Sequence, residues 1–179
     1  MGALTATKTV PVEEYLSDPA YEHCEYVDGQ IVELNAGGIQ HGRIAIKCGR
    51  KLDEYFDARK MGYVAGELHC RLEVGDGVCY RLPDVAVVLG PEDRGEYLNR
   101  APDLVIEIRS PKDTMTHMLR KMDEYFANGS KIGWIVLPEE SSVLVLTPDA
   151  RPRTFTAGQR LDGGDVLPGL AILVDDLFA

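Results

Sequence analysis

The sequence predicts an α/β protein in which a mixed sheet is flanked by helices. Three observations carry that prediction: short β-rich runs punctuated by Asp-Gly and Gly-Asp-Gly turns, two stretches with apolar residues at helical spacing, and the order in which they alternate. Hairpin, helix, strands, helix, strand is the order of a mixed sheet with helical cover. It disfavours a pure bundle or a pure sandwich.

Residues 12–16 predict a short helix, with Pro11 suited to its first turn. Residues 25–34, Glu25-Tyr-Val-Asp-Gly-Gln-Ile-Val-Glu-Leu34, predict a β-hairpin, because Asp28-Gly29 supplies the positive φ angles of a tight primed turn. Gly37-Gly38 ends its second strand. Over 41–60, Ile44, Cys48, Leu52, Tyr55 and Phe56 recur at helical spacing and predict the first long helix.

Residues 63–74 and 78–89 read as two strands joined by Gly75-Asp76-Gly77. Pro83 cannot donate a ladder hydrogen bond, so a bulge or strand edge is expected just before Asp84, whereas the Val-Ala-Val-Val that follows wants burial on both faces. Residues 101–109 give the next strand, stopped by Ser110-Pro111. Asp113 or Thr114 then caps a second helix with Met115, Met118, Leu119, Met122, Tyr125 and Phe126 as its apolar stripe, closed by Asn128-Gly129. Strands are expected at 132–137 and 143–146. Leu167-Pro-Gly-Leu170 reads as a C-terminal turn and Leu177-Phe178 as a small packing anchor.

The chain's 179 residues suit one domain over 1–179 and would be cramped for two. With 45% apolar and 27% charged residues, the composition is that of a globular protein. No stretch nears the ~18 apolar residues of a membrane span, and MGALTATKTV lacks the basic-then-apolar order of a leader, so no membrane role and a cytoplasmic location are expected. Cys24, Cys48, Cys70 and Cys79 show no CxxC or CxxH pairing, which argues for free thiols and against a zinc knuckle. A net charge of −10 opposes nucleic-acid binding by bulk electrostatics. It leaves room for a local basic cleft, and Arg50, Lys51, Arg59 and Lys60 form one basic cluster, with Arg100, Arg109, Lys112, Arg120 and Lys121 forming another.

Among the acids, Asp84 and Glu107 stand out because each borders or interrupts an apolar strand. A buried unpaired carboxylate is costly, and either an arginine such as Arg81 or Arg109 or a hard divalent cation can offset that cost. Two such carboxylates on neighbouring strands would hold Mg²⁺ or Mn²⁺ and leave positions for water and phosphate.

Several segments in order resemble the Uma2-like (DUF820) restriction-endonuclease family of the PD-(D/E)xK nuclease superfamily: Glu25-Tyr-Val-Asp-Gly, His41 at a helix start, Arg81-Leu-Pro-Asp-Val-Ala-Val-Val, Pro102-Asp-Leu-Val-Ile-Glu-Ile-Arg-Ser-Pro111, Lys121 with Tyr125, Gly129 with Trp134, and Leu167-Pro-Gly-Leu170. The resemblance implies a restriction-endonuclease-like fold, DNA as substrate, Mg²⁺ or Mn²⁺ on Asp84 and Glu107, and Lys121 completing the catalytic set. A homodimer would suit two-strand cutting. One departure matters: the lysine usual two residues after the acid is Arg109 here, and arginine cannot lose its proton to act as a base. Lys121 matches the displaced lysine of the Uma2-like pattern and lies about 40° around its helix from Tyr125, on the flank of the apolar stripe. Arg109 shares Glu107's strand face and so could bind phosphate or shield the acid, while Glu25 and His41 could extend the site. The rival reading is a nuclease-fold module, weak or inactive in catalysis, that binds nucleic acid or a protein partner. A smaller phosphate substrate ranks behind both, as no GxxxxGK loop is present.

Overall fold

The computed structural model describes residues 9–34, 38–57 and 59–179. The first eight residues, read above for a leader, Gly37 of the expected Gly37-Gly38 stop and Ala58 of the expected helix lie outside them. Val12–Ser17 forms α1, followed by the hairpin of β1 (Cys24–Val27) and β2 (Gln30–Glu33). Asp28 and Gly29 sit at φ 51° and 76°, the left-handed pair that a primed turn requires. The long helix α2 spans Ile39–Asp57 and buries the apolar stripe read from its spacing.

The two long strands expected next are each broken. Residues 63–74 divide into β3 (Gly62–Ala65) and β4 (Cys70–Val74), and residues 78–89 into β5 (Gly77–Arg81) and β6 (Val85–Leu89). One hairpin is thus creased across its middle. Its β4–β5 arm joins the first hairpin in a four-stranded sheet of order β2-β1-β5-β4, while β3 and β6 enter a larger sheet. The crease follows from local chemistry: Pro83 has no N–H for a ladder, and Glu67 on the opposite arm adopts φ 47°. Asp84 lies in the crease.

Leu104–Ile108 forms β7, Met115–Ala127 forms α3 and Ile132–Leu137 forms β8. β7 and β8 are parallel, so α3 is the crossover that their direction demands. Thr114 is the cap of α3, its Oγ1 accepting from the His117 N–H at 3.2 Å. The large sheet continues through β9 (Ser142–Thr147) and β10 (Ala150–Phe155) to give the order β10-β9-β8-β7-β6-β3.

Residues 167–170 are not a turn. They open β12 (Leu167–Leu173), which pairs with β11 (Arg160–Gly163), and a register shift between Asp162 and Gly163 absorbs Pro168 and Gly169, the latter at φ 80°. A last helix, α4 (Asp175–Phe178), buries Leu177 as an anchor.

Strand alternation sorts the large sheet into two faces. Leu104, Ile106, Ile108 and Trp134 pack with α2, β12 and Leu177 on one face, while Val105 and Ile135 pack with Met118, Met122 and Tyr125 of α3 on the other. Each fully buried side chain of this kind contributes roughly 1.5–3 kcal/mol. Glu107 falls on the α3 face. All four cysteines are buried free thiols, and among the described residues no helix is long and apolar enough to cross a membrane.

Candidate active site

Where the crease of the hairpin meets the end of β7, a cleft of about 520 Å³ opens, walled by Glu25, His41, Asp84, Glu107 and Lys121 among others. Five elements deliver those side chains: β1, the start of α2, the crease, β7 and α3. Asp84 Oδ2 accepts the Ile108 N–H at 2.6 Å and lies 3.3 Å from His41 Nε2. The backbone of β7 thereby fixes the acid of the crease beside Glu107.

Lys121 does not reach outward from the stripe of α3. It is 6% exposed, and its Nζ lies 2.7 Å from the Glu107 carboxylate and 2.9 Å from Glu25 Oε1. The Tyr125 hydroxyl, one helical turn on, donates to Glu107 Oε1 at 3.0 Å. Glu25 is itself held, accepting from Arg81 Nη1 at 2.6 Å and from the Leu82 N–H at 3.2 Å. Arg81 in turn donates through Nε and Nη2 to Glu124 Oε2 at 2.8 and 2.6 Å, and Arg120 closes the chain on Glu124 Oε1 at 3.0 Å. A continuous line of alternating charges runs from the surface of α3 to Glu107.

The electrostatics follow from who has how many partners. Burial pushes Glu25 up, but Lys121 and Arg81 outweigh it and hold its carboxyl below the ordinary value. Glu107 has one cation. Burial pushes it up to about 7, against the pull of Lys121 and with the help of the negative charges on Asp84 and Glu25. Burial alone would lower Lys121, yet Glu107 and Glu25 together raise it above the usual lysine range, so it stays an ammonium. The Asp84 hydrogen bond raises His41 despite burial.

Among the described residues, no three His, Cys, Asp or Glu side chains gather as a metal-binding group. The donor set on offer is the two carboxylates of Asp84 and Glu107. That suits a hard cation that keeps most of its waters and binds through one or two carboxylates, as Mg²⁺ does, and does not suit zinc. The charge on Asp84 also raises Glu107, a mutual repulsion that a cation between them would relieve.

The remaining expectations divide. Arg109 is drawn away: β7 ends at Ile108, and the guanidinium lies 2.8 Å from Glu139 and 3.4 Å from Glu140 beyond β8. Arg81 pairs with Glu25 and Glu124 and not with a strand-end acid. His23, Glu33, Glu67 and His117 also wall the cleft, with His23 and Glu67 3.3 Å apart. Glu124 does not stand out in the sequence. The signal it offers is an acid three residues past Lys121, buried on the same side of α3 as the apolar stripe.

Comparison with known proteins gives three findings. The family model Uma2, described as "Putative restriction endonuclease", matches residues 12–175. An uncharacterized protein of Synechocystis sp. strain PCC 6803 is 29% identical over 102 residues, which cover 55% of this chain and 53% of that protein. The matched stretch thus spans about half the length of that curated relative. A crystal structure of "a putative nuclease belonging to DUF820" from Anabaena variabilis superposes with a TM-score of 0.82 at 24% identity, covering 94% of this chain and 97% of that one.

Proposed function

The chain belongs to the Uma2 family, and from that premise we propose that it is a metal-dependent endonuclease that hydrolyses DNA phosphodiester bonds in the cytoplasm. The observation that carries the reading is the convergence of Asp84, Glu107 and a charged Lys121 on one cleft. In this reading Asp84 and Glu107 hold Mg²⁺ or Mn²⁺. When bound, the ion would polarise the scissile phosphate and lower the pKa of a water. Lys121, kept charged by two carboxylates, is unsuited to be the base; it stabilises negative charge developing on the phosphate. Glu25 fixes the height of Lys121 over the cleft, and His41, with the Ile108 N–H, fixes Asp84. A homodimer would bring two such clefts to a duplex.

The test is incubation with Mg²⁺ or Mn²⁺ and single- or double-stranded DNA, repeated with Asp84→Ala and Lys121→Ala. Cleavage is expected in the native protein alone. Cleavage surviving in both variants would overturn the site. A second reading, a nuclease-fold module that binds nucleic acid or a protein without turnover, draws on Lys121's engagement by two acids and Arg109's capture by Glu139 and Glu140. DNA retention with no cleavage under either metal would favour it.

A further inference from the structure

A second cavity, of about 530 Å³, lies on the other face of the four-stranded sheet. Alternation separates the two sites: Glu25 and Arg81 point into the charged line behind the cleft, whereas their neighbours Tyr26 and Tyr80 point to α1. The rings of Tyr15, Tyr21, Tyr80 and Tyr97 line the cavity. Tyr15 stacks on Tyr21 with centroids 6.3 Å apart and lies tilted to Tyr80 at 5.3 Å, and Tyr97 meets Tyr80 edge-on at 5.3 Å. The Tyr15 hydroxyl is committed to the Cys24 carbonyl at 2.9 Å, which fixes the ring in place. Tyr21 and Tyr97 are partly exposed and form the open side.

The polar lining has one sign. Glu22 and Glu96 sit exposed at the rim, neither within ion-pair distance of a cation among the described residues, and Asp18 adds a third carboxylate that accepts from the Ala20 N–H. No lysine or arginine lines the cavity among the described residues. Burial lowers His69, so it is neutral at pH 7 and offsets none of this charge; Arg71, the strand partner of Tyr80, lies outside the lining and is 3.6 Å from Glu73. Leu16, 44% exposed, supplies an apolar wall between the rings and the rim. Aromatic faces, uncompensated carboxylates and an aliphatic wall are together complementary to a cation carried on a hydrocarbon stem.

We propose that this tyrosine-walled cavity is a binding site for an organic cation, a guanidinium or ammonium head on a short aliphatic stem. The head sits over the rings between Glu22 and Glu96, and the stem lies against Leu16. The site stands apart from the nuclease reading and shares no lining residue with the cleft.

The test is isothermal titration of the full chain with n-butylguanidinium, with n-butylurea as its neutral isostere, and with a blocked Gly-Arg-Gly peptide. Butylguanidinium is expected to bind one to one and butylurea not at all. Glu96→Gln and Tyr97→Leu should each weaken binding about tenfold, while Tyr97→Phe, which keeps the ring, stays within about twofold. Peptide binding as tight as that of butylguanidinium identifies a partner's side chain as the source; peptide binding at least tenfold weaker identifies a free cation. Asp84→Asn should leave the titration unchanged, because the second acidic cleft is not the site. Equal binding of butylurea, no binding of either cation, unchanged affinity in both Glu96→Gln and Tyr97→Leu, or loss of binding in Asp84→Asn would each overturn the proposal. Melting temperatures of the variants separate a lost site from a lost fold.

Discussion

Replacing Arg81 with methionine tests the charged line behind the cleft by its cost in stability. The guanidinium is 1% exposed and makes three short hydrogen bonds to Glu25 and Glu124, between 2.6 and 2.8 Å. Removing one partner of a buried pair costs about 3–5 kcal/mol, most of it from the charge left behind. The lower end applies here. Glu25 keeps Lys121 and the Leu82 N–H, and Glu124 keeps Arg120. A loss of about 3 kcal/mol with a urea slope of about 2 kcal/mol/M lowers the midpoint by about 1.5 M at pH 8. Acid should soften the effect. Arg81 is one of the two cations that hold Glu25 down against burial, so without it the Glu25 carboxyl rises, and its penalty is full above the raised value and fades as pH falls toward the ordinary carboxylate range. Adding Glu124→Met to Arg81→Met should recover at least about 1 kcal/mol, since an apolar pair leaves no orphan charge. A midpoint shift below about 0.5 M in the single variant, or a double variant less stable than the single, would refute the line as a buried, coupled network.

The pKa of Glu107, raised above its ordinary 4.5 to about 7, means that the folded state holds a proton the unfolded chain has lost, so metal-free stability should fall as pH rises between those values. Urea midpoints from pH 5 to 8 should show that fall in the native protein and a flatter line in Glu107→Gln. A saturating divalent ion, at about 100 times its dissociation constant, should add about 2.7 kcal/mol of stability, read as a higher melting temperature, and should add little in Asp84→Asn. Loss of one charge-stabilising donor in Lys121→Met should slow cleavage by about 10²–10³-fold in a gel assay. Gly133→Ala places a methyl 2.5 Å from Met122 Sδ, between β8 and α3, and should cost about 1–3 kcal/mol by chemical denaturation.

The two long helices and the Asp28-Gly29 hairpin were legible because each has a strong local cause: a stripe at helical spacing, a turn dipeptide, a Thr114 cap. Asp84 and Glu107 could be picked out for the same reason, as acids bordering or interrupting apolar strands, whereas Lys121 stands out only through the resemblance to the Uma2-like pattern. What sequence could not supply is pairing at long range. Nothing local says that Arg81 meets Glu124, 43 positions away, or that Arg109 turns to the acids of the next loop. β10, Ala-Arg-Pro-Arg-Thr-Phe, is largely exposed and carries little alternation to read, and β11, Arg-Leu-Asp-Gly, alternates but is too short, with one large apolar side chain, to announce itself. Residues 63–89 read as one long hairpin because both arms are β-rich throughout; Pro83 marks an interruption, but where the chain bends after it depends on the second sheet.

That bend resets the phase of the chain. Upstream of it, odd and even positions of β5 are assigned between the charged line and the tyrosine cavity; downstream, those of β6 are assigned between α2 and α3. Because the two countings are independent, length changes have unequal consequences along one hairpin. A residue added in the tip at Gly75-Asp76-Gly77 leaves both countings intact, whereas one added between Tyr80 and Arg81 would put the new side chain in the guanidinium's place and turn Arg81 away from Glu25 and Glu124. The crease is therefore a tolerance boundary: sequence drift on one side of it cannot propagate as a register error to the other.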